Sequence, residues 1–366
     1  MIGIDIVKVS RFQDLIDRRG LDFVQKMLNT SSNDVDSLAA IFAAKEALGK
    51  ALKTGINRNI LKNAKLIREP SGAPTIYYNK KLYELSISHD AGIAVAVVSG
   101  SGRYEMDEKI QSLIKSRDQY GNKSSFGRLA IVAGSKKMTG AAALSANAAM
   151  RTGVGYTYLY VPEELISIMQ LKTTEVIVDD IKNFYEDIKL NAIAIGPGIG
   201  YDRDREIINI FNICNKNNIP ILVDADGFYY LKKYNLKANI ITPHEMEAAR
   251  LLDEDISFIK ANREQSAIKL SKKYDVITLL KGKDSIITDG KEVFINQTGN
   301  SGLASAGTGD VLSGIISSLL AQGYDAIDAA RLGSYIHGRA AEIYSEEKSE
   351  HSLIASDIID YIGYIF

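Results

Sequence analysis

A single cysteine, Cys214, stands among 366 residues, which excludes intrachain disulfides and any cysteine-clustered metal site. Chemistry must therefore come from carboxylates, lysines, four histidines and backbone amides. No run of about 18 apolar residues is present to span a bilayer. The opening Met-Ile-Gly-Ile-Asp-Ile-Val lacks the basic segment of a signal peptide and sets a carboxylate inside its would-be apolar stretch. A soluble, cytoplasmic protein without a membrane partner is the expectation. Two common nucleotide signatures are also missing, Gly-x-x-x-x-Gly-Lys-Ser/Thr and a strand-linked Gly-x-Gly-x-x-Gly, so any nucleotide must be held by another architecture. The formal net charge is −1, without the Lys/Arg stripes that nucleic acid requires.

That charge is unevenly spread: residues 1–100 hold 14 Lys and Arg against 10 Asp and Glu, and the remainder 30 against 35. A basic small domain suits a polyanionic cofactor or an acidic protein, although solvated surface charge gives the same balance. With 46% apolar and 24% charged residues the chain is ordinary globular material. Its length predicts two domains, since single cores stop growing at about 250 to 300 residues.

In the first part, Ile2, Ile4 and Ile6 alternate with Gly3, Asp5 and Val7, the period of a strand with one buried face, and Asp5 points away from the isoleucines. Apolar residues recur at helical spacing from Ser37 to Lys53, placing Glu46, Lys50 and Lys53 on the opposite stripe. Strands are expected over Leu85–Ser88, ending at His89-Asp90, and over Ile93–Val98. The Gly/Ser segment Ser99-Gly-Ser-Gly-Arg separates two charge balances and marks a boundary between domains 1–100 and 105–366. Beyond it, strands at 129–133, 192–195, 221–223, 240–241 and 276–280 alternate with helices at 140–152, 244–252 and 310–321. Such alternation predicts a mainly parallel, three-layer α/β sheet with ligands at the carboxyl ends of its strands.

Glu46 and Lys50, at i and i+4, share a helix face, with Asp5 available from a neighbouring strand. Two carboxylates plus phosphate oxygens are a usual setting for Mg²⁺, while spacing alone also fits a solvated ion pair. The stretches Met1–Phe12, Phe42–Gly55 containing Lys45-Glu46-Ala-Leu-Gly-Lys50, Pro70–Pro74 and Ser86–Asp90 follow the order found in holo-acyl-carrier-protein synthases, which nearly all of residues 1–98 resemble. That resemblance implies a small α+β domain that transfers 4′-phosphopantetheine from coenzyme A to a serine of an acyl carrier protein. It implies Asp5 and Glu46 as Mg²⁺ ligands, Lys50 near the pyrophosphate, His89 as a coenzyme A contact, and Arg11, Arg18 and Arg19 facing an acidic carrier helix. The general base is open between Glu46, Lys50 and a metal-bound water near Asp5. A homo-oligomer is also implied, since such domains are usually trimers. The stretch from Arg19 to Phe42 looks compressed relative to that family.

In the second part, Gly307-Thr308-Gly309-Asp310 leads into an apolar helix. The glycines free backbone amides to face a ligand at a helix N-terminus, and Asp310 is placed to orient or deprotonate an attacking hydroxyl. Gly196-Pro-Gly198-Ile-Gly200, Asp224-Ala-Asp226, Thr242-Pro-His244-Glu-Met-Glu247 and Leu280-Lys281-Gly282-Lys283-Asp284-Ser285 also lie at strand or helix ends. Each alone is ordinary turn or cap chemistry; together they form a site.

With Phe126–Ala142, Arg151–Gly155, Gly299–Asp310, Ala321–Gly323 and His337-Gly338, these stretches resemble the ribokinase-like family, and within it the ADP/ATP-dependent NAD(P)H-hydrate dehydratases, over about residues 121–362. The resemblance implies that ADP or ATP phosphorylates the C6 hydroxyl of (6S)-NADHX or NADPHX and that phosphate is then eliminated. It implies Asp310 as base and Gly307, Thr308 and Gly309 as anion hole. Lys281, Gly282, Lys283, Asp284, Ser285 and Gly309 would contact the nucleotide, and Ala141, Gly198 and His244 the hydrate. Asp224-Ala-Asp226-Gly227-Phe228-Tyr229 departs from the family's usual Asp-Ala-Asp-Ala-Leu-Asn after Asp226. An epimerase domain often precedes such dehydratases, so a separate NAD(P)H-hydrate epimerase is the implied functional partner. The rival readings are a ribokinase-like small-molecule kinase in the second part and a non-catalytic oligomerisation or carrier-docking module in the first.

Overall fold

The computed structural model describes residues 1–68, 72–79, 81–100, 102–104, 108–184 and 189–366. Pro70, Ser71 and Ser101, which belong to stretches quoted above, lie outside the described residues. The chain divides into two compact units, Met1–Asp107 and Glu108–Phe366.

The first unit contains β1 (Ile2–Lys8), α1 (Ser10–Arg19), α2 (Leu21–Leu28), α3 (Val35–Ala51), α4 (Arg58–Asn63), β2 (Lys65–Arg68), β3 (Pro74–Tyr78), β4 (Lys81–Asp90), β5 (Ile93–Ser99) and β6 (Arg103–Tyr104). The strands form an antiparallel sheet in the order β1-β5-β4-β3-β2. β6 pairs with β4, which carries this unit a few residues past the Gly/Ser segment.

β1 alternates as the sequence predicts, but its faces are reversed with respect to burial. Gly3, Asp5 and Val7 face inward, and Ile2, Ile4 and Ile6 are 67%, 53% and 65% exposed. Backbone proximity is the reason. A Cβ on Gly3 would lie 2.0 Å from the Ala47 carbonyl oxygen, so α3, with Ala43, Ala44, Ala47 and Ala51 buried along it, fits only against the small-residue face. α3 begins at Asp34, whose carboxylate accepts the Ser37 N–H as an N-cap. It ends at Ala51, so Lys53 lies past the helix, with φ 58°, and not on its charged stripe.

The second unit contains α5 (Glu108–Gln111), β7 (Arg128–Val132), α6 (Thr139–Arg151), β8 (Tyr156–Val161), α7 (Ile166–Lys172), β9 (Ile177–Asp180), β10 (Ala192–Ile195), α8 (Asp204–Lys216), β11 (Ile221–Val223) and α9 (Gly227–Tyr234). It continues with β12 (Ile240–Ile241), α10 (Glu245–Leu252), α11 (Ile256–Ala261), α12 (Arg263–Tyr274), β13 (Ile277–Leu280), β14 (Ser285–Thr288), β15 (Val293–Asn296), α13 (Thr308–Ala321), α14 (Ala326–Glu347) and α15 (Ala355–Tyr361). Nine strands run in the order β15-β14-β13-β12-β11-β10-β7-β8-β9. The run from β13 through β9 is parallel, and β14 and β15 are antiparallel additions.

The central strands are buried on both faces, as parallel strands between helical layers must be. Ala130, Ile193, Val223 and Ile241 pack against Phe211, Tyr230, Leu251 and Leu270 from α8, α9, α10 and α12. α6, α13 and α14 cover the other face, with α13 against β7 and β10. This is the expected three-layer α/β/α arrangement. Sequence reading passed over β8, β9, β14, β15 and the 22-residue α14. No described helix is long and apolar enough to cross a membrane.

Candidate functional sites

In the first unit, Asp5 on β1 and Glu46 and Lys50 on α3 come together. Lys50 Nζ lies 2.8 Å from Asp5 Oδ1 and 3.8 Å from Glu46 Oε1, and it donates to the Ile4 carbonyl at 3.2 Å. The Asp5 hydrogen bond, with the two carboxylates, raises the Lys50 pKa, so this lysine stays charged. Asp5 is buried, yet its Oδ2 has no hydrogen-bond partner; an orphaned carboxylate oxygen of this kind calls for a ligand. Among the described residues no group of three or more His, Cys, Asp or Glu could hold a metal by itself, so an ion here would draw its remaining oxygens from substrate or water. His89 is exposed on the same sheet face as Asp5, since Asp5 opposes Ala96, and Ala94, two residues away on β5, opposes His89. Arg11, Arg18 and Arg19 are exposed on α1.

Lys45, next to Glu46 in sequence, is buried instead. Its ammonium donates to the carbonyls of Leu28 and Leu61, both at 2.6 Å, and burial pulls its pKa down to about 8. It therefore joins the C-terminal ends of α2 and α4 to α3, where a cation is favoured by the helix dipoles.

In the second unit, the loops at the carboxyl ends of the parallel strands are tied to one another. Gly134 N–H donates to Pro197 O at 2.8 Å, Gly200 N–H to Asp226 Oδ2 at 3.0 Å, and Lys281 N–H to Pro243 O at 2.8 Å. Gly198 and Ala141, expected at the hydrate, are neighbours: a Cβ on Gly198 would sit 3.1 Å from that of Ala141.

At the centre is a charge network. Lys281 Nζ donates to Asp224 Oδ1 at 2.7 Å and lies 3.8 Å from Glu247 Oε2, while Ser313 Oγ donates to Asp224 Oδ2 at 2.5 Å. Burial works against the Lys281 charge, but Asp224 and Glu247 outweigh it, and the net shift is upward. Asp310, in the first turn of α13, has its pKa pushed up to about 7, chiefly by burial and then by Asp224. Burial raises Glu247 as well, against the pull of Lys281.

Gly307 caps α13 with φ 89°, a left-handed conformation that favours glycine. His337 is buried and pushed down to about 4 by that burial, so it is neutral and its Nε2–H donates to the Thr308 carbonyl at 2.9 Å. His244 caps α10: its Nδ1 accepts from the Met246 and Glu247 N–H groups at 3.1 and 3.2 Å. The tautomer that follows carries its proton on Nε2, on an exposed side chain.

Lys281, Gly282, Lys283, Asp284 and Ser285 form the β13–β14 turn. With Thr308, Gly309, Asn300 and His337 they line a cavity of about 500 Å³. Of the groups around Asp310, sequence reading quoted Asp224, Glu247 and His337 only within motifs and missed Ser313, whose place inside an apolar helix gave no signal.

The chain matches the family model for NAD(P)H-hydrate dehydratase over residues 129–363 and that for the 4′-phosphopantetheinyl transferase superfamily over residues 1–98. An ADP-dependent (S)-NAD(P)H-hydrate dehydratase of Neisseria meningitidis is 33% identical over 262 residues, covering 68% of this chain and 88% of that protein. A bifunctional NAD(P)H-hydrate repair enzyme of Vibrio cholerae is 34% identical over 286 residues, 75% of this chain and 57% of that protein. The chain thus spans just over half the length of the latter. Among solved structures, the ADP/ATP-dependent NAD(P)H-hydrate dehydratase of Bacillus subtilis, co-crystallised with ATP and Mg²⁺, matches with a TM-score of 0.65 and 27% identity over 70% of this chain and 95% of that one. A ribokinase-like superfamily protein of Enterococcus faecalis shares the fold, with a TM-score of 0.64 at 24% identity, covering 72% of this chain and 95% of that one. The chain belongs to the NAD(P)H-hydrate dehydratase family, with a domain of the 4′-phosphopantetheinyl transferase superfamily ahead of its ribokinase-like domain.

Proposed function

We propose that the second unit dehydrates (6S)-NADHX and NADPHX to NADH and NADPH at the expense of ADP or ATP. The observation that carries this reading is Asp310, a half-buried carboxyl with a pKa near neutrality at the N-terminus of α13, next to Gly309, which lines a cavity together with Lys281 to Ser285. A base poised near working pH removes a proton most effectively. Asp310 takes the proton of the C6 hydroxyl as its oxygen attacks the terminal phosphorus of the nucleotide. The backbone amides of Gly307, Thr308 and Gly309 then stabilise the charge on the transferring phosphoryl group. Loss of phosphate from C6, with a proton from the neighbouring ring carbon, restores the dihydronicotinamide. Ala141, Gly198 and His244 hold the hydrate. The test is recovery of reduced-nicotinamide absorbance when protein is mixed with NADH hydrate, Mg²⁺ and ADP or ATP. Recovery that fails with Asp310→Asn supports the reading, whereas none with native protein and either nucleotide points to a kinase of another small alcohol.

The first unit is read as a phosphopantetheinyl transferase acting on coenzyme A and an acyl carrier protein. Asp5 and Glu46 would hold Mg²⁺, which fits the unpartnered Asp5 Oδ2; when bound, the ion neutralises pyrophosphate charge. Lys50 adds a second cation beside the same phosphates, His89 contacts coenzyme A, and Arg11, Arg18 and Arg19 meet the acidic carrier. A homo-oligomer and a separate epimerase complete the reading. Loss of labelled phosphopantetheine transfer in Asp5→Ala would support it, and equal transfer would end it.

A further inference from the structure

We propose that a second cavity in the ribokinase-like unit, bounded by Tyr201, Tyr229 and Arg250, takes the adenosine end of the hydrated dinucleotide, with Tyr229 supplying the surface on which the base stacks. The inference rests on the dehydratase reading and adds the location of the half of the substrate that does not react.

The cavity has a volume of about 660 Å³, within the usual range for a small-molecule site. Its inner wall is shared with the reaction centre: Glu247 and Asp226 line it, and both act electrostatically on Asp310. Lys281 lines the other cavity and lies 3.8 Å from Glu247. Charges that act on Asp310 therefore line both chambers, Asp226 and Glu247 the one and Lys281 the other. One is built from the β13–β14 turn and the start of α13, whose amides suit nucleotide phosphates. The other is left for the molecule that brings the hydroxyl.

The chemistry of this second chamber fits a nucleoside. The Tyr201 and Tyr229 rings lie 5.2 Å apart at 67°, and Tyr229 meets Tyr230 at 5.1 Å and 83°, so the aromatic wall is held in place by its own edges. Tyr201 and Tyr229 remain 58% and 38% exposed, leaving surface for a base. The Tyr229 hydroxyl is anchored by Lys233 Nζ at 2.8 Å, and Lys233 is itself paired with Asp204 at 3.1 Å.

Cations rim the chamber. Lys232 pairs with Asp253, but Arg250, an exposed residue, has among the described residues no carboxylate within ion-pair distance and donates only to Met246 Sδ at 3.5 Å. A guanidinium left open beside aromatic rings matches a phosphate joined to a stacked base. Phe228 and Tyr229 also stand where the family's usual Leu-Asn follows Asp-Ala-Asp-Ala, so these two side chains depart from the family's pattern.

Steady-state kinetics on the full-length protein test the assignment. Tyr229→Ala should raise the KM for NADH hydrate roughly tenfold, the size of one base–aromatic stacking contact, while the KM for ADP or ATP stays at the native value. Tyr229→Phe, which keeps the ring, should stay close to native. Arg250→Gln, at an exposed position, should raise the hydrate KM and leave the nucleotide KM alone. With the hydrate of nicotinamide mononucleotide, which lacks the adenosine half, the difference between native protein and Tyr229→Ala should vanish. An unchanged hydrate KM in both Tyr229→Ala and Arg250→Gln, a rise in nucleotide KM instead, or an equal loss on the truncated hydrate overturns the proposal. Absence of any recovery by native protein defeats the dehydratase reading itself, and this inference with it.

Discussion

On the proposed reading, Asp310 sets both activity and stability. Because burial pushes its pKa up to about 7, the basic form needed to accept a proton is gained as pH rises through that value, and kcat/KM should climb with it. The same shift has an opposite effect on folding. The native state binds this proton more tightly than the unfolded chain, so the contribution of Asp310 to stability is fully present below the unfolded value and is lost as pH rises through about 7. Asp310→Asn should therefore lower turnover by roughly 100-fold or more, the size of a general-base contribution. Its urea midpoint should gain on the native one at pH 8 relative to pH 5. A constant difference between the two proteins at both pH values would refute this account.

Lys45 is buried where its sequence neighbour Glu46 lies beside Lys50. It sits beside Glu46 in a stretch rich in catalytic residue types, and its ammonium is spent on the Leu28 and Leu61 carbonyls. Replacing it by Met leaves carbonyls at two helix ends without a donor and should cost about 2 kcal/mol, since each unmade buried hydrogen bond costs about 1 to 3 kcal/mol. A chemical denaturation midpoint equal to native would show that water or a shifted helix end replaces the ammonium.

Elements carry the site by where they end. β7, β10, β11, β12 and β13 are parallel, so the loops that follow them open on one edge, and the hydrogen bonds of Gly134, Gly200 and Lys281 lock those loops together. α13 completes the arrangement through Gly307. A Cβ there would lie 2.5 Å from Leu144 Cδ1, on a backbone with φ 89°. Gly307→Ala should lower stability by about 1 to 3 kcal/mol and raise the KM for ADP or ATP, because the amides that follow would turn from their positions. An unchanged nucleotide KM would remove Gly307 from the anion-binding role. The alternation of β1 is the matching case in the first unit: its period was legible, its buried face was not. Which face goes inward depends on the approach of α3 to Gly3, a contact between residues more than forty positions apart.

At the scale of the whole molecule, the exposed Ile2, Ile4 and Ile6 stripe is an apolar face on a chain whose family resemblance implies an oligomer. Single exposed apolar residues are ordinary, but a row of three along one strand is the material of an interface. Ile4→Glu should convert an oligomer seen by light scattering into a smaller species with little change in secondary structure by circular dichroism. A native protein that scatters as a monomer would remove the basis for that expectation.

Sequence alone determined the two-part organisation and the two families that its parts resemble. These rest on short contiguous signatures, Lys45 to Lys50 and Gly307 to Asp310, whose residue types are dictated by local backbone freedom and charge. Strand and helix alternation likewise announced the parallel sheet, because burial on both faces leaves its mark in the central strands β7, β10, β11, β12 and β13, whereas β8 and β9 toward one edge were passed over. Tertiary structure decided the rest. Ser313 reaches Asp224 across 89 positions of sequence, Lys281 reaches it across 57, and the shift of Asp310 arises from burial and charges brought in by other strands. No local pattern records such meetings, since each side chain taken by itself is an ordinary serine, lysine or aspartate until the sheet places them within reach of one another.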